Sequence, residues 1–165
     1  MKHTFSVLVE NRAGVLSRIT GLFSRRGFNI DSLAVGVTED KSVSRITIVA
    51  DGNEHTVEQV EKQLNKLIDV IRVKTIRPGE LVSREMLLIK VVAGPKQRSE
   101  VADIAKIVGA DVIDISPSTL TLQLADASER LDLLEELVRP YGIREMARTG
   151  VVALEKGGDE FSVKK

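Results

Sequence analysis

The chain has no cysteine, no tryptophan and few aromatic residues, which make up 3% of its 165 positions. Without cysteine, disulfides, thiolate nucleophiles and cysteine-ligated zinc are excluded, and His3 and His55 are the imidazoles available as ligands. Hydrophobic residues still account for 42% of the chain. Burial must therefore come mainly from Val, Ile and Leu, whose β-branched members favour strands, so we expect a substantial sheet.

Net charge and long apolar runs are also lacking. Lys plus Arg and Asp plus Glu number 24 each, so no positive field attracts nucleic acid or an anionic membrane over long range. No apolar run approaches the roughly 20 residues that span a bilayer, and the N-terminus does not resemble a signal peptide. We expect a cytoplasmic protein that binds neither nucleic acid nor membrane.

The first half of the chain predicts the element order βαββαβ. Residues 3–10 alternate with period two, with Phe5, Val7 and Val9 on one face. A helical stripe then runs from Gly14 to a left-handed cap at Gly27. Further strands are predicted over 29–38, 43–50 and 68–76, and a second helix over 56–67 with a Thr56-x-x-Gln59 capping box.

The second half predicts the same order after a break at Arg77–Glu80. Strands are predicted over 85–93, 112–115, 120–124 and 144–154, the last with an interruption at Gly150. Helices follow Gly94-Pro95 and an N-cap at Asp126.

Two βαββαβ units predict an α+β protein of two ferredoxin-like domains, each an antiparallel sheet with helices on one face. We assign residues 1–77 to the first domain, 78–83 to a linker and 84–156 to the second domain. Residues 157–165 are polar and are predicted to form a flexible tail.

No catalytic or metal site is predicted. His3 and His55 are isolated, and none of the common nucleophile, metalloprotease, phosphate-loop or dinucleotide motifs is present. The RNA-recognition module shares the βαββαβ order, but it stacks bases on aromatic residues of the first and third strands. Phe5 is the one aromatic residue there, so RNA binding is disfavoured.

The turn at residues 10–16 (Glu-Asn-Arg-Ala-Gly-Val-Leu) is the strongest candidate for a binding site. A glycine-containing turn that opens a helix exposes backbone N–H groups at the positive end of the helix dipole. Such a turn can hold a carboxylate or a phosphate. A purely structural interpretation is also open, in which Gly14 starts the helix and Asn11 caps the turn.

Several segments resemble a known family. The segment Val9–Leu33 is similar to the opening of an ACT domain, and the resemblance is narrower to the small regulatory subunits of acetolactate synthase (acetohydroxyacid synthase). It extends over nearly the whole chain, through Ser44–Ile48, Glu58–Leu67, Arg84–Lys90, Ile115–Pro117 and Ala147–Val151.

The resemblance implies a non-catalytic regulatory subunit with an N-terminal ACT domain and a C-terminal ACT-like domain. Such a protein activates a separate large catalytic subunit and confers feedback inhibition by valine in branched-chain amino acid biosynthesis. It carries no cofactor or metal itself, whereas the catalytic partner carries thiamine diphosphate, Mg²⁺ and FAD. The alternative that stays open is a stand-alone amino-acid-sensing module that regulates another enzyme or transcription.

The resemblance also implies a shared effector site in a homodimer of ACT domains. One subunit contributes Asn11, Gly14, Val15 and Leu16 from the turn, and the other contributes Asn29 and Ile30. One methylene changes binding by only about 1 to 3 kcal/mol, so leucine and isoleucine remain competitors of valine. The second half has Gly94-Pro95-Lys96 at the corresponding turn and no equivalent of Asn11, so no valine site is predicted there.

Overall fold

The computed structural model describes residues 1–158 and 160–163, which form two compact units. The first unit comprises Met1–Val82 and the described residues from Val151 onward, and the second comprises Ser83–Gly150. These units differ from the predicted domain ranges in two respects. Residues 78–82 of the predicted linker belong to the first unit. The C-terminal segment, predicted to end the second domain and form a tail, belongs to the first unit, where Phe161 is buried.

The first unit has the predicted βαββαβ order. Its elements are β1 (Lys2–Glu10), α1 (Val15–Arg25), β2 (Ile30–Val37), β3 (Val43–Asp51), α2 (Glu54–Leu64) and β4 (Val70–Ile76). The four strands form an antiparallel sheet in the order β2-β3-β1-β4. β2 is therefore an edge strand.

The second unit repeats this order. Its elements are β5 (Leu81–Val92), α3 (Arg98–Val108), β6 (Asp111–Ile115), β7 (Thr119–Asp126), α4 (Ser128–Val138), a 3₁₀ turn (Arg139–Tyr141) and β8 (Ile143–Arg148), in the sheet order β6-β7-β5-β8. The predicted last strand is interrupted at Gly150, whose φ is +80°. The chain continues there as β9 (Val152–Glu155), which pairs with β5, a strand that begins in the first unit.

Each sheet buries one face against two helices. In the first unit Phe5, Val7 and Val9 of β1 pack with Ile19 and Phe23 of α1, as the period-two pattern predicts. In the second unit the core joins residues of β5, β7, α3 and α4: Leu87, Ile89, Val91, Val101, Ala105, Val108, Leu120, Leu122, Leu124, Leu131, Leu134 and Val138. The predicted ferredoxin-like fold is confirmed in both units.

Two predicted helix caps are wrong. Helix α2 is capped by Asn53, whose side chain accepts a hydrogen bond from the backbone N–H of Thr56 at 2.9 Å, so Thr56 lies inside the helix. Helix α4 has Ala127 at its N-cap, because Asp126 uses its carboxylate to accept from the N–H of Ala127 instead. Asn53, three residues before Thr56, takes the role predicted for Thr56, whereas the N-cap of α4 makes no side-chain hydrogen bond.

Candidate functional site

Gly14 fixes the shape of the turn between β1 and α1. It is the N-cap of α1 with φ +86° and ψ −12°, a left-handed conformation that L side chains adopt only with strain. A Cβ at this position would have no atom within 4 Å. The backbone conformation, and not lack of space, therefore requires glycine here.

The first turn of α1 presents unpaired backbone donors. No side chain caps the helix, its first turn has no acidic residue, and its first internal hydrogen bond runs from Arg18 N–H to the Gly14 carbonyl at 3.1 Å. The N–H groups of Val15 and Leu16 thus have no partner inside the helix, and none in the rest of the described chain. An anion can be bound at this end of the helix dipole.

Asn11 ties this turn to the loop between β2 and β3. Its backbone N–H donates to the Ser42 carbonyl at 2.7 Å, and its side-chain Nδ2 donates to the Lys41 carbonyl at 3.0 Å. Because the amide nitrogen is used within the chain, the side-chain oxygen Oδ1 is the part of Asn11 that can accept from a ligand.

A partly buried ion pair lies next to the same turn. Arg18, one helical turn beyond Gly14, donates to the carboxylate of Asp69, which is 8% exposed. The Asp69 carbonyl also accepts from the N–H of Glu10 at 2.9 Å, so Asp69 contacts the first residue of the turn and the helix that follows it. The pair could not be predicted from the sequence, because Asp69 is 51 positions from Arg18 and belongs to no motif.

Val15 and Leu16 have different environments. Val15 is 4% exposed and packs in the first core, so only its backbone N–H faces a ligand position. Leu16 is 40% exposed and offers apolar side-chain surface beside the uncapped helix end. Of the two predicted apolar contacts, Leu16 is the one available to a ligand side chain.

Asn29 and Ile30 lie at the entrance to the edge strand β2. Asn29 is exposed and donates from Nδ2 to Asp31 Oδ1 at 3.0 Å, while Ile30 packs partly against the first core. Asp31 also forms an ion pair with Lys2 at 3.4 Å. Asp31 was not predicted as a site residue, yet its carboxylate accepts the hydrogen bond from the Asn29 side chain.

One chain alone does not join the two predicted halves of the site. Within the described residues, no hydrogen bond links the turn at 10–16 to Asn29 or Ile30. The two groups lie at opposite ends of α1, since Gly14 precedes this helix and Asn29 follows it.

The corresponding turn of the second unit is arranged differently. Before α3, the N–H groups of Gln97 and Arg98 both donate to the Gly94 carbonyl at 3.0 Å. The Arg98 guanidinium donates to the carbonyls of Ser116 and Pro117, each at 3.0 Å. The backbone N–H groups of Gln97 and Arg98 are thus already paired within the turn, whereas those of Val15 and Leu16 in the first unit are open.

The described part of the chain holds no group of three or more His, Asp or Glu residues arranged to bind a metal ion. None of its helices is long and apolar enough to cross a membrane. His3 contacts the Gly52 carbonyl and His55 contacts Gln59, so both imidazoles have partners within the chain.

The fold and the turn define a class: an α+β protein of two tandem βαββαβ units, of which the first carries an ACT-type turn with open backbone donors. Residues 5–72 match the AHAS small subunit-like ACT domain, and residues 84–157 match the family described as the small subunit of acetolactate synthase. The chain belongs to the acetolactate synthase small-subunit family.

Individual relatives agree with this assignment. The chain is 48% identical to a probable acetolactate synthase small subunit of Archaeoglobus fulgidus, over 95% of this chain and 98% of that protein. It is also 48% identical to the acetolactate synthase small subunit of Mycolicibacterium smegmatis, over 94% and 91%. The crystal structure of the Thermotoga maritima small subunit superposes with a TM-score of 0.90 at 35% identity, covering 96% of this chain and 99% of that one. The family resemblance inferred from sequence is confirmed.

Proposed function

We propose that this chain is a non-catalytic regulatory subunit that activates the catalytic subunit of acetolactate synthase and confers feedback inhibition by valine. The observation that carries the proposal is the uncapped, glycine-opened N-terminus of α1, found within a segment that matches the small-subunit ACT domain. Its free N–H groups suit the carboxylate of an amino acid.

Each part of valine has a counterpart in the proposed site. The N–H groups of Val15 and Leu16 receive the carboxylate, and the exposed Leu16 side chain contacts the isopropyl group. The ammonium group needs acceptors, which the side-chain oxygens of Asn11 and Asn29 provide. Asp31, beside Asn29, adds a negative charge near the ammonium group.

Dimerisation completes the site in this proposal. β2 is an edge strand with exposed Val35 and Val37, so its open backbone groups can pair with β2 of a second copy. Pairing of this kind extends the four-stranded sheet to eight strands. Asn29 and Ile30 of one copy then complete the turn of the other.

The regulatory signal passes to the catalytic partner as a difference in affinity. Valine shifts the assembly only insofar as it binds the inhibited arrangement more tightly than the active one. We assign thiamine diphosphate, Mg²⁺ and FAD to the catalytic subunit, and we place the assembly in the cytoplasm.

Calorimetric titration of valine into the Asn29→His protein tests the site. We expect valine affinity to fall at least tenfold, which corresponds to about 1.4 kcal/mol. Feedback inhibition of the reconstituted enzyme should be lost while activation is retained. Asn65→His, at the exposed C-cap of α2, is the matched control and should bind valine normally. Unchanged valine binding by Asn29→His would defeat the site assignment.

Association with a purified acetolactate synthase catalytic subunit tests the regulatory role separately. We expect the chain to co-purify with that subunit and to raise its turnover. If the chain binds valine but neither associates with the catalytic subunit nor changes its turnover, a stand-alone amino-acid-sensing module is the better description. Titrating leucine and isoleucine beside valine ranks the effectors.

A further inference from the structure

The sheet face opposite α1 and α2 carries a row of three side chains across its three neighbouring strands. In the strand register Leu8 of β1 is directly opposite Arg45 of β3 on one side and Arg72 of β4 on the other. Cross-strand partners share a face of the sheet, so the two guanidinium groups flank one leucine. We call this set the arginine row.

Phe161 of the C-terminal segment covers the arginine row. It is 8% exposed and forms a small apolar cluster with Leu8 and Val43, apart from the main core. Its ring centroid lies 5.5 Å from the Arg45 Cζ and 4.9 Å from the Arg72 Cζ. Both distances are within the range of cation–π attraction, so the ring gains from apolar burial and from two cations.

The same arginines bind the backbone of the segment. Arg45 Nη2 donates to the Phe161 carbonyl at 2.9 Å, and its Nη1 donates to Ser6 Oγ at 3.2 Å. Arg72 Nη1 donates to the Ser162 carbonyl at 3.4 Å. Burial lowers the pKa of Arg45, with a smaller opposing contribution from Glu39. The row thus recognises an aromatic ring together with the main chain that carries it.

A second set of contacts holds residues 151–156, which begin the C-terminal segment. Val151 N–H donates to Ser32 Oγ at 2.7 Å, Lys74 pairs with Glu155, and Lys156 N–H donates to the Glu80 carbonyl at 2.7 Å. Between these contacts and Phe161 lies the pair Gly157-Gly158, and Gly157 has φ +89°. Fixing the backbone of a glycine costs more conformational entropy than fixing that of any other residue. Residues 160–163 can therefore leave the sheet while Glu155 stays bound.

We propose that the arginine row is a peptide-binding site for a segment with one aromatic anchor, and that residues 160–163 of the same chain are its resident, reversibly bound ligand. The ligand class follows from the contacts, since the two guanidinium groups face one aromatic ring and donate to two backbone carbonyls. Contact through one ring and two carbonyls requires no covalent link to the rest of the chain.

The full-length Phe161→Ala protein tests the site in trans, because it removes the anchor without shortening the chain. A fluorescently labelled peptide of residues 152–163 should bind this variant saturably. A peptide in which Phe161 is replaced by Ala should bind at least about tenfold more weakly, since it loses ring burial and cation–π attraction. The unmodified protein should bind the peptide at least about tenfold more weakly than the variant, because its own segment competes at roughly millimolar effective concentration.

Arginine variants locate the peptide on the sheet. In the Phe161→Ala background, Arg72→Gln should abolish peptide binding, whereas Lys66→Gln, at an exposed position after α2, should not. Circular dichroism must show that each variant is folded. Absence of saturable binding to the folded Phe161→Ala protein, or binding that is indifferent to the peptide phenylalanine or to Arg72, overturns the proposal.

A tryptophan reporter gives an answer even if Phe161→Ala does not fold. The chain has no tryptophan, so Phe161→Trp creates a unique fluorophore at the row, and Val163→Trp places one at a more exposed control position. The Phe161→Trp protein should emit at shorter wavelength than the Val163→Trp protein. Several millimolar of the phenylalanine peptide should shift the emission of the Phe161→Trp protein to the red, and the alanine peptide should not. An emission from Phe161→Trp that equals the control, or that the peptide leaves unchanged, contradicts reversible binding.

Discussion

Replacing Arg148 with methionine should destabilise the second unit by breaking a buried ion pair. Arg148 donates to both carboxylate oxygens of Glu85, from Nε at 3.1 Å and from Nη2 at 2.7 Å, and also to Asp132 Oδ1 at 2.7 Å. Glu85 is 7% exposed, and Ser128 Oγ donates to it at 3.0 Å. The hydrogen bonds to Glu85 are the main reason that the pKa of Arg148 is raised, so the guanidinium is charged throughout the accessible pH range.

The expected loss in the free energy of unfolding depends mainly on the Glu85 carboxylate that remains buried in the variant. Methionine replaces most of the aliphatic volume of Arg148, so little packing is lost. The Glu85 carboxylate, however, keeps only Ser128 as a donor among the described residues. Removing one partner of a buried pair typically costs about 3 to 5 kcal/mol. Because the Arg148 side chain is 26% exposed and water can enter, we expect about 3 kcal/mol.

Urea unfolding monitored by circular dichroism measures this loss. For m-values of about 1 to 3 kcal/mol/M, a loss of about 3 kcal/mol lowers the midpoint by about 1 to 3 M. Arg144→Met, an exposed change on the same strand, should cost less than about 0.5 kcal/mol. Adding Glu85→Gln to Arg148→Met should recover part of the stability, because the buried charge is removed. A cost for Arg148→Met below about 1 kcal/mol, or equal to that of Arg144→Met, would refute the reasoning.

Three further outcomes are expected. Tyr141, the single tyrosine, donates a hydrogen bond from its hydroxyl to Glu100 Oε2 at 2.9 Å, and this bond raises the tyrosine pKa above 10.0. The contribution of this hydrogen bond to stability is therefore present below pH 10.0 and is lost at higher pH. An absorbance titration should show that Glu100→Gln returns the pKa of Tyr141 toward 10.0. Gly14→Ala should cost about 1 to 3 kcal/mol in urea unfolding, because a side chain is strained at φ +86°. Arg18→Met should cost about 1 to 3 kcal/mol by leaving the buried Asp69 carboxylate without its cation, and urea unfolding should give a smaller loss than for Arg148→Met because Arg18 is 58% exposed on its side chain.

Periodicity was sufficient to predict the element order, because each sheet has one buried face and local alternation records it. The alternation of Phe5, Val7 and Val9 predicted both a strand and the face that enters the core. The ends of strands and helices were predicted less well. The strand predicted from residue 68 begins at Val70, and Ile68 is 92% exposed. An apolar residue such as Ile68 does not by itself indicate whether it belongs to the strand or to the preceding loop.

Side-chain contacts between distant positions could not be predicted. The Glu85–Arg148 pair joins residues 63 positions apart, and neither residue is unusual in its local sequence. Phe161 lies in a polar stretch that predicts a free tail, and its burial depends on Leu8 and Val43, more than 100 positions earlier. In the candidate site, the glycine at the helix start was recognisable from sequence, whereas the connection of Asn11 to the β2–β3 loop depends on tertiary structure.

The discontinuity of the first unit sets an order for its folding during synthesis. Its final contacts come from Val151 and the residues that follow it, so they cannot form until the whole second unit, Ser83–Gly150, has been translated. At about 5 to 20 residues per second, those 68 residues take roughly 3 to 14 s. During that interval Leu8 and Val43 lack their Phe161 cover on the nascent chain. A ribosome-bound chain that stops at residue 150 should therefore engage chaperones through a surface that the finished protein buries.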